Sequence, residues 1–321
     1  MTDFLLLEKI HMMIKELSKP RIMFRKGIAA DGFFRPYMSF SEYTQAKLFS
    51  SYDEITPVKV RFASMLGDKG TADTVRNIKG MNVKFVSTEG EYDMICHSLP
   101  VFFINSEDKF FDIKEAFTKR EMFDGVNTDA FWRFLAENPE SVNCAVRLFS
   151  QEGLSASYID MKWFSVNSDV WENSIGEKFL VRYKWVPAAD KTHKYEGKKR
   201  MDRISAEFMA GFDADKALRE MESAIEDGRF PEYELYIQMA DYDNVSEPEY
   251  LSRTLMWDEE KHPYAAAGVM KLTEIPQDQR KNCDLLSFAP GNTVRGIDVC
   301  RDGFADIMNY ICRLENAERG E

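Results

Sequence analysis

Long apolar runs are missing from this sequence. Nowhere do about twenty apolar residues follow one another, so no membrane-spanning helix is expected. Cysteine is scarce. The five, Cys96, Cys144, Cys283, Cys300 and Cys312, are odd in number and scattered. They show neither a zinc spacing nor a readable disulfide framework. Positive charge is in deficit: 42 Lys and Arg against 54 Asp and Glu leave a net charge of −12. That sign argues against general nucleic-acid binding. The basic run KYEGKKRMDR (194–203) reads as a solvated loop or a helix start rather than a phosphate-binding patch. The N-terminal stretch MTDFLLLEKIHMMIKELSK is broken by Glu8, Lys9 and Lys15 and lacks the cleavage pattern of a signal peptide. Together these shortages imply a reduced, cytoplasmic protein. There is no GxGxxG for a dinucleotide, no internal repeat and no low-complexity linker.

What is present is ample. The chain has 321 residues, 44% of them apolar and 30% charged, enough to bury a sizeable core. Residues 3–18 read as an amphipathic helix with Thr2 or Asp3 as cap, ended by Lys19-Pro20. Four β-rich runs follow: 56–65, 81–87, 92–96 and PVFFIN at 100–105. Helical spacing returns over 107–120, 127–137 and 139–151. A second β-rich group covers 158–166, 178–186 and 233–241, interrupted by one long helical pattern over 200–228. A further strand at 265–275 and a closing helix at 302–318 complete the reading. Strands in two batches with segregated helices predict an α+β fold with a barrel rather than a doubly wound sheet. We read one domain over residues 1–321, with residues 1–19 as a helical arm.

The stretch VRFASMLGDKGTADTVRNIKGMNVKFVSTEGEYDMICHSLPVFFINSEDKF (60–110) resembles the haem catalases. The family pattern there is VRFS, then G-(S/T)-ADTVRD-x-(R/K)-G-x-AVKF, a W-D pair and N-N-T-P-x-FFIRD. RIMFRKGIAADGFF (21–34), EDGRFPEYELYIQMAD (226–241) and SFAPGNTVRGIDVCRD (287–302) resemble further family segments, in the family's order. The resemblance implies an antiparallel catalase-like β-barrel with surrounding helices and haem b inside the domain. Arg21 and Arg61 fall on two of the family's propionate-binding arginines, and Arg319, counted without gaps through the last helix, falls on the third. A guanidinium suits that task because it offers paired donors to a carboxylate. Phe102, Phe103, Phe110 and Phe288 match aromatic positions of the haem pocket, although single apolar residues read equally as core.

The resemblance also marks departures. The family's distal histidine, a general acid–base, is replaced by Phe24. The serine that supports it is replaced by Ala63, and the distal asparagine by His97. The axial tyrosine falls on Cys312, and the arginine one helical turn before it on Met308. A thiol ionises more readily than a phenol, so a thiolate at Cys312 needs less help from an arginine. The rival ligand is Tyr310, which requires the helix to shift by two residues. His97 reads either as the catalytic acid–base or as a histidine hydrogen-bonded to a neighbouring strand. His11, His193 and His262 are expected to face solvent, and Cys96 to face the core.

A thiolate behind haem iron favours O–O cleavage. The expected activity is therefore oxidation of a small organic substrate by hydrogen peroxide or an organic hydroperoxide, peroxidase- or peroxygenase-like, rather than peroxide dismutation. An isomerase, lyase or dehydratase acting on an oxygenated substrate, and a non-catalytic haem sensor or carrier, stay open. Family members often form oligomers, which leaves a homo-oligomer open as well.

Overall fold

The computed structural model describes residues 4–16, 21, 23–117, 128–154, 157–165, 167–188 and 201–318. Helix α1 (Phe4–Glu16) precedes four strands: β1 (Gly27–Pro36), β2 (Thr56–Ser64), β3 (Lys79–Ser87) and β4 (Gly90–His97). Helices α2 (Phe110–Ala116), α3 (Thr128–Glu137) and α4 (Val142–Phe149) separate them from β5 (Trp163–Phe164), β6 (Asp169–Glu172) and β7 (Lys178–Pro187). Then come α5 (Arg203–Phe212), α6 (Lys216–Glu226), β8 (Glu232–Asp241), α7 (Pro248–Leu251), β9 (Ala265–Glu274), α8 (Gln279–Asp284), β10 (Ile297–Val299) and α9 (Gly303–Glu318). Strand β1 pairs with β2 and β9, β9 with β8, β8 with β7, and β7 reaches β4 through β5. With β2–β3–β4 this ring closes an eight-stranded antiparallel barrel, as the two strand batches predict. Closure removes the exposed edges that would pair with other chains.

Alternation along the strands decides what lines the inside. On β2, Val58, Val60 and Phe62 join the buried barrel core with Phe34, Phe85, Trp163 and Trp185. Such large aromatic side chains fill the interior with directional edge-to-face packing, for example Phe34 against Phe85 at 5.4 Å and 89°. Cys96 lies in this core, as expected. Lys59, Arg61 and Ala63 therefore look outward, and a ligand site belongs on the outer wall beneath the helices.

Several sequence expectations are corrected. PVFFIN forms no strand. Its backbone is claimed elsewhere: Phe102 N donates to Arg253 O at 2.6 Å and Ser141 Oγ to Phe103 O at 2.6 Å. Of the expected strand at 158–166, only Trp163–Phe164 pairs among the described residues. The helical pattern at 200–228 is two helices. Ala214 O accepts from Lys26 Nζ (2.7 Å) and from Asp73 N (2.9 Å), and these contacts pin the break. His262 is not a solvent-facing residue. It lies within 3.0 Å of Tyr250 Oη and 2.9 Å of Met239 O.

Lys79 is fully buried, donating to Ser64 Oγ (3.0 Å) and Val75 O (3.2 Å). Burial pushes its amine down to about 7 from 10.5, because the charged form loses its hydration. A depressed folded-state value contributes stability that is present above 10.5 and lost as pH falls through about 7. Lys79→Met is expected to remove the rise in stability between pH 7 and 10. It should add about 2 kcal/mol at pH 7, since apolar replacement of a buried ion is often stabilising. Urea unfolding at the two pH values measures this, and an unchanged pH slope would refute it.

Candidate active site on the outer barrel wall

Strand register assembles the site in rows. Gly27 on β1 faces Ala63 on β2, Ala63 faces Gly80 on β3, and Gly80 faces His97 on β4. Three small residues in a row leave a trough in the wall. Phe24 lies over it: a Cβ built on Gly80 would stand 2.8 Å from the Phe24 ring. The Phe24 backbone is left-handed, with φ of 56°, an uncommon state for a bulky residue. Its N–H donates to Met65 O at 3.0 Å and its carbonyl accepts from Arg61 Nη2 at 2.7 Å, so both ends of the strained unit are held.

His97 is wedged among aromatics. Its ring centroid is 6.0 Å from Phe24 and nearly parallel to it, and 5.5 Å from Phe102. Burial pushes its pKa down to about 4, so the imidazole is neutral at neutral pH. Nδ1 is buried and has no hydrogen-bond partner. A buried polar atom in that state costs free energy unless a ligand satisfies it.

The next row is Ala29, Arg61, Asn82 and Ile95. Arg61 is 2% exposed. Its Nε donates to Cys283 O at 3.0 Å, yet among the described residues no carboxylate pairs with it. Arg21 donates through Nη2 to Leu286 O at 2.5 Å and to Asp284 O at 3.3 Å. The third row holds Asp31, Lys59, Lys84 and Asp93. Asp93 takes Lys84 Nζ at 2.8 Å, Ala289 N at 2.9 Å and Asn292 Nδ2 at 2.7 Å, latching residues 289–292 to the wall. Phe288 is buried there, with Lys84 Nζ 5.7 Å from its ring centroid. A cavity of about 350 Å³ opens at this row, lined by Asp31, Lys59, Lys84 and Leu286 among others.

Helix α9 supplies the opposite wall. Phe304 meets Phe102 at 6.0 Å, and Met308 packs on the same cluster. Ile307, Ile311, Tyr310 and Leu314 face the α1 cluster, which Met308 also touches. At about 100° per residue, Cys312 lies about 40° from Met308, while Tyr310 lies about 200° from it. The half-buried Cys312 is thus placed on the Phe304–Met308 side, and Tyr310 toward α1.

Of the residues singled out in the sequence, Phe24, His97, Phe102 and Met308 pack in one region, with Ala63 and Arg61 on the strand beneath Phe24. Phe103 sits one layer back against Phe117 and Phe131, and Phe110 lies under α1 and α9. Arg319 falls outside the described residues. Sequence reasoning assigned no role to Gly27, Gly80 or Asp93. The signals were there, in the glycines after Lys26 and Lys79 and in the Asp of the W-D pair.

The catalase family model matches residues 1–308. The chain is 34% identical to Catalase-2 of Bacillus subtilis over 308 residues, covering 94% of this chain and 44% of that protein. It is 32% identical to a catalase of Latilactobacillus sakei, covering 99% and 65%. A crystal structure of a fungal catalase superposes with a TM-score of 0.88 at 26% identity, covering 99% of this chain and 63% of the other. The chain belongs to the catalase family, and spans between 44% and 65% of the length of these relatives. Cys312 lies just past the matched span.

The family's cofactor is haem b. The residues present fit it: Arg61 is a buried cation with no carboxylate paired to it among the described residues, as a propionate site requires. His97 Nδ1 beside the trough is a buried polar atom without a hydrogen-bond partner.

Proposed function

We propose that this chain is a haem oxidoreductase that reduces hydrogen peroxide or an organic hydroperoxide at the expense of a small organic substrate. In this reading Arg21, Arg61 and Arg319 would hold the haem carboxylates, and Cys312 would supply a sulfur donor to its iron. When bound, haem supplies redox-active iron, and a thiolate donor favours cleavage of the peroxide O–O bond. In the overall reaction the peroxide takes up two electrons and two protons, and leaves as two waters or as water and an alcohol. The substrate loses two electrons and two protons.

The observation that carries this reading is Phe24 over the Gly27–Ala63–Gly80 trough. Its ring can neither accept nor return a proton, so it cannot serve a second peroxide as dismutation requires. The ring keeps water out and presents an apolar face to an organic molecule. Phe102 and Met308 extend that face. His97 is the polar group beside it, and its neutral imidazole can hydrogen-bond or take a proton from a peroxide or substrate oxygen.

The test is stoichiometry with the haem-loaded protein. With a panel of phenols as donors and hydrogen peroxide or fatty-acid hydroperoxides as oxidants, two electrons withdrawn from donor per peroxide are expected (two one-electron phenol oxidations), with little oxygen release. Release of one O2 for every two H2O2 would overturn the reading in favour of dismutation. Turnover of a hydroperoxide with no electron donor consumed would overturn it in favour of an isomerase or lyase.

A further inference from the structure

Helix α9 carries Cys312, and polar contacts fix that helix to its surroundings at two points. The first is its start. Asp302 Oδ1 accepts from Ala305 N at 2.8 Å, capping the helix, and pairs with Arg253 Nη2 at 2.8 Å. The second lies in mid-helix, where Asn309 Oδ1 accepts from Gly291 N at 3.1 Å. Gly291 belongs to the segment that Asp93 latches to β4. Besides its carboxylate contacts with Ala289 N and Asn292 Nδ2, Asp93 donates its backbone N–H to Asn292 O at 3.0 Å. Asn292 N closes the turn on Ala289 O at 2.9 Å. An unbroken polar chain thus runs from Lys84 and Asp93 on the wall, through the 289–292 turn, to Asn309.

Glycine is what lets turn and helix come this close. A Cβ built on Gly291 would stand 2.7 Å from Asn309 Oδ1, so a larger residue pushes the helix away or breaks the bond. Around the helix, at about 100° per residue, Cys312 lies about 40° from Met308 and Asn309 about 100° from it. Cys312 therefore falls in the sector between two contacts: Met308 on the Phe102–Phe304 cluster, and Asn309 on Gly291. The Met308 contact is apolar and non-directional. The Asn309 bond has a preferred length and angle, so it selects one rotation of the helix.

We propose that Asn309, held by the Asp93-latched turn at Gly291, is the positioning residue that sets the rotation of α9 and with it the placement of the Cys312 sulfur. It acts through the helix rather than on the reacting atoms. The inference rests on the reading of Cys312 as the sulfur donor. A donor has to be held within about 0.5 Å of its working position. Removing a group that orients a metal ligand from behind commonly costs about 10–100-fold in affinity or activity.

The test sets Asn309→Leu, which keeps the size but removes the accepting oxygen, against Asn309→Asp, which retains an oxygen. In the haem-free protein, alkylation of Cys312 by iodoacetamide is followed by peptide mass spectrometry. Cys96, Cys144, Cys283 and Cys300 are buried, and their silence reports that each variant is folded. Asn309→Leu and Gly291→Ala are expected to raise the Cys312 rate about fivefold, while Asn309→Asp keeps the wild-type rate. After haem loading, Asn309→Leu should lose haem about tenfold faster and turn the single ferric electron-spin signal into several, and Asn309→Asp should restore both. Equal alkylation in Asn309→Leu and wild type would overturn the proposal. Equal disturbance by Asn309→Asp and Asn309→Leu would overturn it too, since packing and not the hydrogen bond would then set the helix. An unchanged haem spectrum in Cys312→Ser would instead sink the sulfur-donor reading, and the alkylation rates would still decide whether Asn309 places the thiol.

Discussion

Phe24→His combined with Ala63→Ser is expected to raise oxygen release from hydrogen peroxide about 100-fold. A positioned general acid–base contributes rate factors of roughly 10² to 10⁴. Position 24 is ready for the exchange. Its backbone is left-handed, with φ of 56°, and histidine is enriched in that region relative to bulky apolar residues. The Phe24 ring rests at Gly80, which is directly opposite Ala63 across the β2–β3 pair. The serine is needed as well, because a histidine alone would bury an unsatisfied nitrogen at a cost of about 1–3 kcal/mol. Phe24→His by itself should therefore be less stable than the double variant and gain less activity. Oxygen electrode traces measure the effect. No increase in a double variant that retains haem would show that Phe24 is not what withholds dismutation.

Cys312→Ser is expected to lower peroxide-dependent substrate oxidation about 100-fold, equivalent to about 2.7 kcal/mol in the barrier. The reduced, CO-bound absorption spectrum should lose its cysteine-ligated character. The reason is electronic: a hydroxyl cannot push electron density as a thiolate does. Tyr310→Phe is the matched control. Tyr310 packs toward α1 and, at about 200° around α9 from Met308, is absent from the cluster of Phe304 and Phe102, so its spectrum should match that of the wild type. If Tyr310→Phe moves the spectrum and Cys312→Ser does not, the ligand assignment is wrong.

Much of the fold was legible in the sequence because it rests on local periodicity. The alternation of TPVKVRFAS sends Val58, Val60 and Phe62 inward and Lys59, Arg61 and Ala63 outward, as the barrel core requires. Failures occurred where distant contacts overrode local pattern. Val101, Phe103 and Ile104 look like strand residues, but their segment donates from Phe102 N to Arg253 O and accepts at Phe103 O from Ser141 Oγ. The helical pattern over 200–228 breaks at Ala214 because Lys26 and Asp73 hold that backbone. No window of sequence contains both partners of such a contact.

The site divides along the same line. The sequence by itself determined the chemical types available: a phenylalanine and an alanine where the resembling family has a histidine and a serine, and a cysteine in the last helix. These are properties of single positions read against a motif. Only the tertiary structure decided that Gly27, Ala63, Gly80 and His97 form one row, that Arg61 is buried with no carboxylate beside it among the described residues, and that Tyr310 turns toward α1. Those facts depend on strand register and on which helix faces which. Both are set by burial summed over the whole core, a quantity that no single stretch of the chain contains.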